Sequence, residues 1–153
     1  MPGRHKLGSL FVVAAAVLLV LLPATAWAKA GDIFVVDQTA FGGSVIRVDP
    51  ATGAQSPLAS GGSFIEPSSI VFDSQGQLLV VDTEAFGGTT GGVIRVDPVT
   101  GAQTPLASGA PFANPSGIAL DLQGRILVTD AFALGGSAII AVDPVTGTQT
   151  PVA

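Results

Sequence analysis

The sequence predicts an all-β chain built from four-stranded repeat units, and three observations predict it. Aligning Val45–Gly88 on Val93–Gly136 at an offset of 48 gives 28 identities in 44 positions. Beyond residue 28, Gly or Pro interrupts the apolar runs every eight to twelve residues, so no pattern of period 3.6 lasts long enough to make a helix. Each unit carries four such runs, and a period in the forties with four short strands per unit is the signature of a propeller blade. The expected fold is therefore β-propeller blades of four antiparallel strands, about three blades in an incomplete propeller, following an N-terminal signal-peptide helix. The divisions are 1–28 for the signal, 29–61 for a partial blade, and 62–109 and 110–153 for two full blades.

The first segment has the order of an export signal. Arg4, His5 and Lys6 make a positive start, Leu10–Leu22 is thirteen uncharged apolar residues, and Pro23 precedes the small-x-small site Ala26-Trp27-Ala28. A membrane span needs about 20 apolar residues, more than this run supplies. The expectation is cleavage after Ala28, a chain starting at Lys29, no stable membrane span after cleavage, and a secreted or periplasmic location. Four basic residues (Lys29, Arg47, Arg95 and Arg125) then stand against eleven acidic ones, a net charge of −7. Such a surface repels phosphate backbones, so nucleic acid is not an expected partner. The sequence has no Cys, so packing alone must hold the exported chain together.

The strands follow in order within the best-formed unit. Strand one is Gly117–Asp121, and Asp121-Leu122-Gln123-Gly124 places Asp first and Gly last, as a tight turn prefers. Strand two is Arg125–Thr129; its counterpart Leu78–Val81 is apolar throughout, as suits a strand covered on both faces. Strand three is Val93–Val96, and Asp97-Pro98-Val99-Thr100-Gly101 turns the chain. Strand four is Ala102–Ala107, where Pro105 cannot donate to a ladder and so assigns the strand to the sheet edge. The connectors after strand two are Gly-rich, and Phe41, Phe86 and Leu134 in them are expected to tuck under the loops as small core contacts. Arg47 and Arg95, equivalent on strand three and replaced by Ala141 in the last unit, are expected on a solvated face beside neighbouring acids.

The unit Pro115, Gly117-Ile118-Ala119, Asp121, Gly124 and Ile126–Asp130 resembles the NHL-type propeller repeat, and the wider gluconolactonase-like and lyase-like six-bladed propellers share its rhythm. The resemblance covers Lys29–Ala153 and implies the architecture; the matching positions are turn and core positions. Leu127, Leu79 and Val35 depart from it, standing where the family usually carries an aromatic. The chain enters at strand two of its first blade and so encodes eleven strands, whereas propellers close with about four to eight blades. The expectation is a fragment of a longer propeller, or several chains that complete a ring through open blade faces.

Recurring aspartates stand at strand ends: Asp37, Asp82, Asp130, Asp49, Asp97, Asp143, Asp73 and Asp121. Each sits beside a turn residue, which points to carboxylates accepting backbone N–H bonds rather than ligating metal. Glu66 and Asn114 occupy equivalent positions before Pro67 and Pro115. In gluconolactonase-like propellers an acidic residue before one Pro and an Asn or Asp after another hold a metal over the central channel. Glu66 resembles the first element, but Ser68 and Ser116 follow the prolines here, and one carboxylate with hydroxyls is a poor divalent site. Glu66 and Asn114 remain the candidate residues, with no metal, cofactor or catalytic group assigned. The lyase-like propellers rely on histidine; Lys29–Ala153 contains neither His nor Cys to activate a serine. The function read from these residues is an exported binding or scaffold module for an unidentified ligand or protein. The alternative is part of a metal-dependent, gluconolactonase-type hydrolase.

Overall fold

The computed structural model describes residues 31–152. The segment read as a signal peptide and the new terminus Lys29 lie outside the described residues. The eleven strands are β1 (Ile33–Asp37), β2 (Ser44–Val48), β3 (Gln55–Ser60), β4 (Pro67–Phe72), β5 (Leu78–Asp82), β6 (Gly92–Val96), β7 (Gln103–Ser108), β8 (Pro115–Leu120), β9 (Ile126–Asp130), β10 (Ala138–Val142) and β11 (Gln149–Pro151). They form three antiparallel sheets in chain order: β1-β2-β3, β4-β5-β6-β7 and β8-β9-β10-β11. This is the all-β, incomplete-propeller arrangement that the repeat predicts. Innermost strands β4 and β8 lie beside one another, and β1 lies beside β4.

Turn chemistry sets the strand lengths. Between β4 and β5, Asp73 Oδ1 accepts the N–H groups of Gln75 and Gln77, each at 2.9 Å, and Gly76 takes φ +76°. Between β6 and β7, the Gly101 N–H closes on the Asp97 carbonyl at 2.9 Å. Pro57 and Pro105 fall opposite Ile46 and Ile94 where the register shifts by a bulge. A proline lacks the N–H that the ladder needs, so it is confined to an edge strand, and β3 and β7 are indeed edges.

The core lies between blades. β5 is buried along its whole length, and its side chains alternate between two neighbours. Leu78 and Val80, with Ile94 and Val96 of β6, cluster with Val45 and Ala59 of the first sheet. Leu79, Val81 and Val93 cluster with Ile126, Val128, Ile140 and Val142 of the third. Each such side chain contributes about 1.5–3 kcal/mol on burial. The outer blades show what lacks a neighbour: Ile33 and Val35 of β1 are 49% and 43% exposed.

Polar ties repeat at both joints. Arg47 Nη2 donates to the Pro98 carbonyl at 3.1 Å, and Arg95 Nη2 donates to the Pro144 carbonyl at 2.6 Å. Arg47 is buried, which corrects the expectation of a solvated face. The third-strand position faces the next blade, whose hairpin carbonyl takes the guanidinium. The neighbouring acids are present, with Asp32 Oδ2 3.8 Å from Arg47 Nε and Asp73 Oδ2 3.5 Å from Arg95 Nε. Gln103 Nε2 donates to the Gly61 carbonyl while its Oε1 accepts the Ser63 N–H. Gln149 Nε2 repeats the first bond on Ser108, but its buried Oε1 has no partner. The reason is in the sequence: Pro111 replaces Ser63 and has no N–H to give.

The connector side chains divide against expectation. Phe86 is half-buried and packs on the joint cluster, but Phe41 and Leu134 are each 67% exposed. All three sit at positive φ in short 3-10 turns. What differs is the residue that starts strand three. A Cβ at Gly92 would stand 2.7 Å from Phe86 Cε2, so glycine makes room for that ring. Ser44 and Ala138 stand at the equivalent positions in the other blades.

Candidate functional site

The inner rim of the blades is built by the loops that enter β4 and β8 and leave β5 and β9, and two buried aspartates hold those loops. Asp82 accepts Ile65 N–H at 2.8 Å, Glu66 N–H at 3.1 Å and Glu84 N–H at 2.9 Å. Asp130 accepts Ala113, Asn114, Phe132 and Ala133 N–H groups at 2.8–3.0 Å. Burying a carboxylate is tolerable only when its charge is met this completely. These bonds position Glu66 and Asn114 as equivalents on one rim, Glu66 exposed and Asn114 half-buried.

The remaining strand-end aspartates show the same chemistry, as the sequence predicts. Asp37 Oδ1 accepts Thr39 and Ala40 N–H groups, both at 2.8 Å. Asp97 and Asp143 each accept two N–H groups of their hairpins. The consequence is electrostatic: the Ala40 and Thr39 N–H groups hold Asp37 below its ordinary value of 3.8, those of Thr100 and Val99 do so for Asp97, and those of Thr146 and Val145 for Asp143. Among the described residues, no three His, Cys, Asp or Glu side chains are grouped so as to hold a metal ion.

The serines after the prolines tie strands together. Ser68 Oγ lies 3.0 Å from the Ser116 carbonyl and 3.3 Å from that of Val81, and Ile118 N–H donates to Ser69 Oγ at 3.3 Å. At the rim of the third blade, Ser116, Thr129 and Ser137 line an open cleft of about 420 Å3 together with Asp130 and Ile139. Ser116 Oγ and Thr129 Oγ1 are 3.3 Å apart there. Sequence reasoning passed over this hydroxyl-lined cleft, because the only signal is Thr129 at the position of Val81. The same blade face carries Ala141 in place of Arg95.

No protein-family model matches the chain, and no curated protein matches it. Solved structures do. An auxiliary nutrient binding protein from Bacteroides ovatus aligns over 78% of this chain at 20% identity, with a TM-score of 0.59. The periplasmic gluconolactonase of Pseudomonas aeruginosa aligns over 79% of it at 25% identity, with a TM-score of 0.55. The chain spans 26% and 37% of the length of those two structures. The sheet topology and these likenesses agree that residues 31–152 are blades of a β-propeller, of the kind found among gluconolactonase-like proteins.

Proposed function

We propose that the chain is an exported propeller module of NHL type, part of a six-bladed assembly, that works by binding and not by catalysis. The observation that carries this reading is the engagement of the aspartates. The strand-end carboxylates that would have to supply ligands or bases are tied into backbone N–H bonds. Binding then falls to the open blade faces, which suit protein; the cleft at Ser116, Thr129 and Ser137 lies on one of them, beside Ile139. Export rests on the Leu10–Leu22 run and the Ala26-Trp27-Ala28 site.

The hydrolase reading keeps two supports, the 25% identity to a periplasmic gluconolactonase and Glu66 exposed on the rim. One pair of measurements on the exported protein separates the two. The binding reading expects the melting temperature to be unchanged by EDTA and by added calcium, since a structural metal links its binding energy to folding. It also expects no hydrolysis of gluconolactone above the spontaneous rate. Metal-dependent lactone hydrolysis that Glu66→Gln abolishes overturns the binding reading. N-terminal sequencing that begins at Met1 overturns export.

A further inference from the structure

Among the described residues, the first blade repeats, unfilled, the seat that the other two blades fill. In the second blade one continuous segment, Ser60–Phe72, makes four contacts in a row. Its Ser63 N–H meets Gln103 Oε1 at 2.8 Å. Phe64 is buried in the cluster that holds Ile94 and, at its margin, Phe86. The Ile65 and Glu66 N–H groups meet the Asp82 carboxylate. Pro67–Phe72 then pairs with β5 as the innermost strand. The third blade repeats three of the four, with Phe112 buried, Ala113 and Asn114 N–H groups on Asp130, and Pro115–Leu120 paired with β9; Pro111 has no N–H for Gln149.

Every acceptor in that set has a counterpart in the first blade. Gln55, at the position of Gln103, is exposed. Ile46 and Phe41, counterparts of Ile94 and Phe86, line an open cleft of about 170 Å3 with Gln55 and Pro57. Asp37, counterpart of Asp82, accepts its bonds from Thr39 and Ala40 through Oδ1 alone. β1 is the edge of its sheet, where β5 and β9 are interior.

We propose that this edge is a strand-acceptor site, and that its occupant is an extended segment of a partner chain carrying the same repeat. The required chemistry is Gly-Gly-Ser-Phe, two residues with free N–H groups, then Pro and an alternating apolar strand. The segment adds to β1 by β-augmentation, main-chain bonds supplying affinity and the Phe seat supplying specificity. Two arguments select this occupant. The site continues the series of two joints already formed by the same segment within the chain. Asp37 Oδ2 also accepts no bond among the described residues, and it is the counterpart of the oxygen that takes the Ile65 N–H in the second blade and the Ala113 N–H in the third. The proposal rests on the exported form, in which Met1–Ala28 are removed.

The test uses the exported protein and a labelled synthetic peptide, SGGSFIEPSSIVF, the chain's own Ser60–Phe72. Saturable binding by fluorescence anisotropy is expected. A peptide N-methylated at its first Ile and at its Glu, the residues of Ile65 and Glu66, is expected to bind roughly tenfold more weakly or worse, as the loss of charge-assisted bonds implies. Gln55→Ala is expected to weaken the parent peptide as well. Because the N-methyl peptide leaves the protein untouched, a folding defect cannot mimic the result. Absence of binding to protein that begins at Lys29 overturns the proposal, and so does equal binding of the N-methylated peptide. N-terminal sequencing of the same sample reads the export step separately: binding by protein that begins at Met1 upholds the acceptor site and removes the export reading.

Discussion

Aspartate carries more of this architecture than its number suggests, because each copy fastens one loop to one strand end. Asp82 and Asp130 are buried, and each holds two separate loops at once. Removing the Asp82 carboxylate leaves three N–H groups without their acceptor. Asp82→Ala is therefore expected to destabilise the fold by about 3 kcal/mol, read as a lower urea midpoint; a shift within error would mean that water replaces the carboxylate. The exposed turns add a pH dependence of known sign. Asp37, Asp97 and Asp143 are held below the ordinary 3.8 in the folded chain. Their contribution is present above that value and is lost as pH falls through the lower folded values. The urea midpoint should thus be level from neutral pH down to about 5 and decline below 4. The turn roles of Asp37, Asp97 and Asp143 were legible in the sequence, since an Asp beside Gly, Pro or Thr at the end of an apolar run has a local partner; the hold of Asp82 on Ile65 and Glu66, 17 and 16 residues away, was not. The role of Arg47 was not legible, because its partner is the Pro98 carbonyl 51 residues away.

At the scale of elements, strand count, order and edge positions could be read directly. Strand boundaries fell within about two residues of the structure, as expected where fraying turns define the ends. The hairpin glycines hold a second role that the local pattern hides. Gly53, Gly101 and Gly147 occupy equivalent turns, with φ of +70°, +73° and +72°. Around Gly53 a side chain would meet nothing within 4 Å, but at Gly101 it would run into the Leu58 carbonyl, and at Gly147 into that of Leu106. The same turn is thus free in the first blade and wedged against the preceding blade in the other two. Gly53→Ala is expected to lose only the positive-φ preference, about 1–2 kcal/mol. Gly101→Ala is expected to lose a further 1–3 kcal/mol, roughly the cost of overpacking. Parallel denaturation curves of the two variants check this. Equal losses would show that the joint between the first two blades yields without resistance.

For the whole molecule, the decisive feature is that blades bury their apolar faces on one another, so a row of three leaves two outer faces of unequal character. The face on the first blade presents Ile33 and Val35, each more than two-fifths exposed. The face on the third blade carries Thr129 where the second blade has Val81 and Ala141 where it has Arg95, so the guanidinium tie that both internal joints use has no equivalent there. An apolar patch beside an unpaired strand edge drives association, and here both lie on the first blade. Light scattering on the exported protein should therefore return a mass above that of one chain. Val35→Asp should return it to one chain, because a charge on that face opposes burial. Ile139→Asp, on the opposite face, should leave the mass unchanged. Dispersal by Ile139→Asp and not by Val35→Asp would place the contact on the third blade and overturn this assignment. A single-chain mass for the unaltered protein would show that the open face of the first blade is tolerated in water.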